Sequence, residues 1–323
     1  MSSYAELLVP IAGDLELVEA KMQATTNLFQ PLADAIHLLL ESGGKRLRPA
    51  LALLAGSIYP AIDSAGLISL AAAVEMLHSA TLVHDDVIDG ALLRRGSPTL
   101  NASWNQGATV LAGDFMFARA AYLASETGNV RVMQLFAQTL MTICEGELQQ
   151  LFDIRNWNQP KDAYYRRIHG KTAALFATAT EAAAILGQAP EEDVATLRDF
   201  GYNLGMAFQI MDDILDFVGD QQVVGKPVGS DLRQGTVTLP VFHYLQTHPE
   251  ALHVMRAIGN GRPSDDALAD LIVDIGNSHA METTRQEAAT FLAQAKEARA
   301  PRPDSVYRRS LLGLADYVLQ RSL

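Results

Sequence analysis

Two clusters of aspartates are the residues in this chain best suited to chemistry. Asp85-Asp86-Val87-Ile88-Asp89 and Asp212-Asp213-Ile214-Leu215-Asp216 share the spacing DDxxD. Each sits in an apolar stretch, LHSATLVHDDVID and GMAFQIMDDILDF, that reads as helix. Positions i and i+4 lie one above the other on a helix face, so Asp85 pairs with Asp89 and Asp212 with Asp216. Two carboxylates about 4 Å apart repel by roughly 4 kcal/mol at an effective dielectric near 20, so six of them call for a counter-charge. A hard divalent cation with oxygen ligands suits them, and Mg²⁺ shared with substrate phosphates suits them best. With 22 Asp among 323 residues, chance supplies about 0.1 such triplets per chain. A third cluster, Asp265-Asp266-Ala267-Leu268-Ala269-Asp270, follows Arg262-Pro263-Ser264 and has its third aspartate displaced by one. With no basic cluster beside it, it reads as the acidic first turn of a surface helix.

The elements that must position these residues are helices. Helical spacing predicts them near 4–22, 28–40, 47–59, 63–90, 100–125, 130–150, 161–186, 191–218, 236–246, 249–258, 265–275, 279–297 and 304–321. Breaks fall at Ser42-Gly43-Gly44, Gly96-Ser97-Pro98, 156–160, 187–190, 225–229 and 259–263. The stretches 66–84 and 171–186 are apolar on most faces, which predicts central or interface helices. No composition shift marks a linker, so one all-α domain over 1–323 is expected. Hydrophobic content of 49% and charged content of 19% exclude a disordered chain. A net charge of −12 disfavours nucleic acid and anionic membrane as partners. A lone Cys144 fits a reducing, cytoplasmic setting, and the first residues carry no basic n-region of a signal peptide. Apolar runs are interrupted before about 18 residues, so no transmembrane helix is expected.

Positive charge is gathered in short segments. Gly43-Gly44-Lys45-Arg46-Leu47-Arg48-Pro49 offers glycines that let backbone approach an anion, with Lys45 and Arg48 three apart on one helix face. Arg94-Arg95-Gly96 follows the first triplet, and Lys226 follows the second. Arg166 and Arg167 read as a solvated surface face. His78 lies two turns before Asp85, on its face, where it is either a satisfied core histidine or a phosphate contact. Carboxylate pads with a basic rim are the chemistry of diphosphates. No GxxxxGK[ST], GxGxxG, HExxH, paired-Cys or GxSxG pattern is present, so nucleotide, zinc and serine-hydrolase chemistry are not indicated.

These segments resemble the trans-isoprenyl diphosphate synthases. The likeness runs from GGKRLRP through LVHDDVIDGALLRRGSPT, EGELQQL, HGKTAALF and GMAFQIMDDILDFVGD to GKPVGSDLRQGTVTLP. It implies an all-α helical bundle of isoprenoid-synthase type around a deep central cavity, as a homodimer. The implied reaction is Mg²⁺-dependent, head-to-tail condensation of isopentenyl diphosphate onto an allylic diphosphate (dimethylallyl, geranyl, farnesyl or geranylgeranyl). By position, Asp85 and Asp89 resemble ligands of two Mg²⁺ ions, with Asp86 as support behind them. Asp212 resembles the ligand of a third, with Asp213 and Asp216 acting partly through water. Arg94, Lys171 and Lys226 resemble allylic diphosphate contacts, and Gly44, Lys45, Arg48, His78 and Arg95 the isopentenyl diphosphate pocket. Thr172 and Gln209 resemble groups facing the allylic cation. One departure stands out: many relatives carry a Lys where this chain has Thr236, within Gly235-Thr236-Val237-Thr238-Leu239-Pro240. The C-terminal residues also lack the basic tail of many short-chain relatives.

Product length in this family is set just upstream of the first triplet. Here Met76 and Leu77 precede Ala80 and Thr81, with Thr81 one turn below Asp85. Small side chains there resemble the long-chain class, whose products carry quinone side chains, with Phe136 or Leu140 as candidate tunnel floor. Two alternatives remain: a synthase that stops at farnesyl or geranylgeranyl, and a silent subunit of a heteromeric synthase. A weak peripheral membrane contact for product release is a further expectation.

Overall fold

The computed structural model describes residues 3–24, 28–41, 44–94, 96–218, 227–259, 265–297 and 304–320. Helices dominate, as the spacing predicts: α1 (Tyr4–Leu8), α2 (Ala12–Gln23), α3 (Gln30–Glu41), α4 (Leu47–Gly56), α5 (Ser64–Ile88), α6 (Leu100–Ser103), α7 (Gln106–Ser125) and α8 (Val130–Phe152). They are followed by α9 (Lys161–Ile168), α10 (Ala174–Leu186), α11 (Glu191–Val218), α12 (Ser230–Gln234), α13 (Leu239–Thr247), α14 (Ala251–Gly259), α15 (Asp265–Asn277), α16 (His279–Glu297) and α17 (Val306–Gln320). The departures from expectation are local. A 3₁₀ turn at Val9–Ile11 interrupts the first helix, where Pro10 cannot donate a hydrogen bond. A π-turn at His169–Ala173 interrupts 161–186. Leu93–Arg94 and Ser97–Pro98 pair as a two-residue antiparallel hairpin. The cluster at 265–270 does open a helix, with Asp266 and Asp270 exposed.

The chain falls into two compact units. Unit 1 comprises Met1–Gln138, Leu175–Gly201 and Arg299–Leu314. Its centre is α5, capped by Asp63, whose carboxylate accepts from the backbone N–H groups of Ala65 and Gly66 at 3.1 Å each. α5 packs against α7, α4 and α2. It has the length and mean hydropathy (1.5) to cross a membrane, but 72% of its apolar window is buried within the protein, as in a core helix. α4 is buried on nearly every face, as an all-round apolar helix must be. Where α5 meets α7, Gly113 makes room for His84: a Cβ there would sit 2.4 Å from the imidazole Nε2.

Unit 2 comprises Thr139–Ala174, Tyr202–Ala298 and Ala315–Leu323. Here α13 packs on α16, α15 and α9. Glu287 on α16 ties three of these elements together, meeting Lys161 and Tyr165 of α9 and lying 3.2 Å from His243 Nε2 of α13. Burial pushes this carboxyl up, but the His243, Lys161 and Tyr165 contacts outweigh burial and hold it down at about 2.

Candidate active site

In unit 1 the first triplet closes α5. Asp85 and Asp86 lie in its last turn and Asp89 is the C-cap, its N–H donating to the Asp85 carbonyl at 2.8 Å. Helix C-termini carry partial negative charge, so a carboxylate there is disfavoured by about 0.3–1 kcal/mol unless a cation joins it. Asp86 is buried, and Arg94 supplies such a cation, with Nε at 2.9 Å and Nη2 at 2.8 Å from its Oδ1. The short hairpin carries Arg94 back over the helix end, and Thr99 anchors it by donating to the Ala91 carbonyl at 2.7 Å. Asp86 and Arg94 line a cleft of about 210 Å³ with Leu38, Leu39, Glu41, Pro98 and Leu100. Arg95, and Lys226 beyond the second triplet, lie outside the described residues.

The GGKRLRP segment divides its charges between two jobs. Gly44 and Lys45 are exposed, and Lys45 precedes α4 rather than sharing a face of it with Arg48, because the helix starts only at Leu47. Arg46 turns inward from the left-handed region (φ 49°, ψ 38°). Its guanidinium chelates Glu19, meets Glu75 at 3.0 Å and donates to the Leu40 carbonyl at 2.6 Å. Arg48 is half-buried, 4.9 Å above the Phe176 ring. His78 is also half-buried. Further up α5, Met76, Leu77 and Ala80 are fully buried, and Thr81 donates its hydroxyl to the His78 carbonyl at 2.7 Å. Phe136 is buried and Leu140 half-buried.

Unit 2 carries the second triplet. Lys171 and Thr172 sit on the π-turn, a conformation frequent at functional sites. The turn packs glycine on glycine: a Cβ on Gly170 would lie 3.0 Å from both Gly146 Cα and the Thr142 carbonyl oxygen. That close approach brings Lys171 to 3.1 Å from Glu147 of α8. Thr172 donates to Gln209 Oε1 at 2.7 Å, Gln209 Nε2 donates to Asp213 Oδ1 at 3.0 Å, and Tyr164 donates to Asp213 Oδ2 at 2.7 Å. Burial, with repulsion from Asp231 second, pushes the Asp213 carboxyl up to about 7. The same two causes push Asp216 up to about 6. Asp216 is engaged at the start of α12, accepting from Ser230 N–H at 3.1 Å, Ser230 Oγ at 2.8 Å and Asp231 N–H at 3.2 Å. Asp212 is half-buried beside them.

Sequence reasoning misses three residues here. It places both Arg166 and Arg167 on the surface, but only Arg166 is exposed. Arg167 is buried, donating to the Val237 carbonyl at 2.6 Å and to Gln159 Oε1 at 3.2 Å, with its guanidinium 5.4 Å from the Tyr164 ring. Tyr164 carries no sequence signal of its own, and Glu147 lies within EGELQQL without an assigned role, because their partners lie 49 and 24 residues away.

Among the described residues no three His, Cys, Asp or Glu side chains converge into a cage for an ion. The donors are carboxylate oxygens spread along helix ends. That set fits Mg²⁺, which keeps waters and takes one or two carboxylates together with substrate phosphates.

The family model for polyprenyl synthetase matches residues 29–275. Component 2 of the heptaprenyl diphosphate synthase of Geobacillus stearothermophilus is 40% identical over 314 residues, covering 96% of this chain and 97% of that protein. The decaprenyl diphosphate synthase of Rhodobacter capsulatus superposes with a TM-score of 0.91 at 39% identity, covering 99% of both chains. A polyprenyl synthase of Caulobacter crescentus, solved with calcium and isoprenyl diphosphate, superposes at 0.90 with 36% identity, covering 99% of this chain and 98% of that one. The chain belongs to the polyprenyl synthetase family.

Proposed function

We propose that this protein is a long-chain all-trans polyprenyl diphosphate synthase, which adds isopentenyl diphosphate head-to-tail to an allylic diphosphate. The observation that carries this reading is the placing of one aspartate triplet at the C-terminal end of α5 and the other in the last two turns of α11, with no basic residue in the last turn of either helix. Such carboxylates are stabilised by bound cations.

Asp85, Asp89 and Asp212 would hold Mg²⁺, with Asp86, Asp213 and Asp216 in support. Bound there, Mg²⁺ ions supply Lewis-acid neutralisation of the leaving diphosphate. Arg94, Lys171 and Lys226 donate to that diphosphate as the allylic C–O bond breaks. Lys45, Arg48, His78 and Arg95, with the Gly44 backbone, hold isopentenyl diphosphate. Its double bond supplies the electron pair of the new C–C bond to the allylic carbon. The positive charge passes to the tertiary carbon of the added unit, and a proton leaves its neighbour for the released diphosphate. Thr172 and Gln209 face the allylic carbon, and the buried apolar helices keep out water that would quench the cation. Thr236 contributes a hydroxyl in place of a cation, leaving the diphosphate to the remaining basic groups.

Small residues favour a long product: Ala80 is fully buried beside Thr81, one turn from Asp85. The hepta- and decaprenyl specificities named for the relatives support the same reading. A second copy is the expected partner. Leu111, Phe115, Ala118 and Tyr122 recur every third to fourth residue along α7, with Leu111 69% and Tyr122 56% exposed. Exposed Leu92 and Leu93 suit a weak peripheral membrane contact during product release, and a lone cysteine suits the cytoplasm.

The test is incubation of the purified protein with isopentenyl diphosphate, farnesyl diphosphate and Mg²⁺, with product lengths read by chromatography. A ladder running well past four isoprene units, abolished by EDTA, is expected. Termination at geranylgeranyl overturns the long-chain reading. Absence of product with every primer overturns the enzyme reading for the chain alone, and makes a second component the next addition.

A further inference from the structure

Behind the second aspartate triplet, the hydrogens can be assigned one by one. Tyr164 is fully buried, and its hydroxyl donates to Asp213 Oδ2 at 2.7 Å. Gln209 Nε2 stands 3.0 Å from Asp213 Oδ1. In its ionised form Asp213 only accepts, so Gln209 presents its nitrogen to it, since the flipped amide would set two acceptor oxygens against each other. The Gln209 carbonyl oxygen is thereby turned to Thr172, 2.7 Å away. That oxygen also only accepts, so Thr172 spends its single proton on it. The Thr172 oxygen is left with lone pairs alone for whatever binds beside it.

Tyr164 is itself held from behind. The buried guanidinium of Arg167 lies 5.4 Å from its ring centroid and is pinned by the Val237 carbonyl at 2.6 Å and Gln159 at 3.2 Å. A cation–π contact of this kind is strongest when desolvated.

We propose that Tyr164 is a positioning residue: acting through Asp213 and Gln209, it fixes the direction of the Thr172 hydroxyl so that an electron-rich oxygen, not a proton, meets the reacting allylic carbon. The inference rests on the prenyl-transfer reading and deepens it. An oxygen whose dipole is already set stabilises positive charge as it develops, with no reorganisation at the moment of reaction. Removing the phenol takes away one of the two side-chain donors to Asp213. The carboxylate can then turn, and Gln209 and Thr172 turn with it.

The experiment is a double-mutant cycle on the full-length enzyme with Mg²⁺ and both diphosphate substrates. Tyr164→Phe, Thr172→Val and the double variant are compared for kcat, for KM of each substrate, and for Tm. Tyr164→Phe is expected to lower kcat at least tenfold while both KM values stay within about twofold. In the Thr172→Val background it should have no further effect, because the group it directs is gone. Wild-type kcat in Tyr164→Phe, or two effects that multiply, overturns the proposal. Should Tyr164→Phe fail to fold, Tyr164→Met takes its place in the cycle: non-additivity with Thr172→Val supports the proposal and multiplication overturns it. An inactive wild type removes the prenyl-transfer reading and this inference together, whereas an active wild type with an unaffected Tyr164→Phe removes this inference alone.

Discussion

Two adjacent cations in one motif, Lys45 and Arg46, should respond to mutation in opposite ways. Arg46 is a left-handed residue whose guanidinium is shared among Glu19, Glu75 and the Leu40 carbonyl. Burial weakens its charged form, but the Glu75 and Glu19 contacts more than offset that, and the guanidinium is held above its ordinary pKa. The Glu75 side chain is only 6% exposed. Arg46→Met keeps the length of the side chain and strands that carboxylate. Breaking a buried pair from one side costs about 3–5 kcal/mol, against a total stability of about 5–15 kcal/mol. For 323 residues the unfolding entropy near Tm is roughly 0.7 kcal/mol per kelvin, so Tm should fall by about 4–7 °C. Arg46→Met/Glu75→Gln should regain more than about 1 kcal/mol, the coupling expected of contacting residues. Lys45→Ala, by contrast, should leave Tm within about 1 °C and raise the KM for isopentenyl diphosphate about tenfold or more, the value of a charge-assisted hydrogen bond. Calorimetry on the three variants, with initial rates, reads both quantities. If Arg46→Met melts with the wild type yet raises that KM as Lys45→Ala does, Arg46 faces substrate and the division of labour within the motif is wrong.

Ala80→Phe should cut the product to about farnesyl or geranylgeranyl length. An unchanged ladder on chromatography would sink the tunnel argument, while overpacking of a filled site would instead show as a loss of about 1–3 kcal/mol with the ladder intact. Gly170→Ala should force the π-turn away from α8, since its Cβ would meet backbone atoms at 3.0 Å, and kcat should drop as Lys171 and Thr172 shift. Wild-type kinetics in that variant would mean the turn tolerates the methyl. Glu287 sets a pH dependence of stability. Its folded pKa is depressed to about 2 from 4.5, so its stabilisation is complete above about pH 4.5 and is lost as pH falls toward 2. With the side chain 26% exposed, Glu287→Gln should cost about 1–2 kcal/mol at pH 7 after allowance for screening. The gap between variant and wild type in urea melts should narrow between pH 4.5 and pH 2, and a gap independent of pH would refute the ion-pair account.

The parts of the site that sequence reveals are those whose signal is local. DDxxD on an apolar helix declares itself within five residues, and so do Gly and Pro beside clustered Lys and Arg. The same local reading fails where a partner lies far along the chain. Arg167 looks like a surface residue because most arginines are solvated, and its burial depends on a carbonyl 70 residues away. The break in 161–186 is invisible because the glycine it packs against, Gly146, belongs to another helix. Lys45 and Arg48 look like a helical pair, but Arg46 takes the left-handed conformation and α4 starts only after it. The failures are informative because of what they share. Both triplets break a local rule, placing Asp85 and Asp86 in the last turn of α5 and Asp216 in the last turn of α11, against the helix dipole. The groups that reconcile that placement with a stable fold, Arg94 for Asp86 and Tyr164 for Asp213, come from other elements. A locally unfavourable motif held by distant partners is what a site built to receive an external cation requires, since carboxylates satisfied by their own helix would have no need of one.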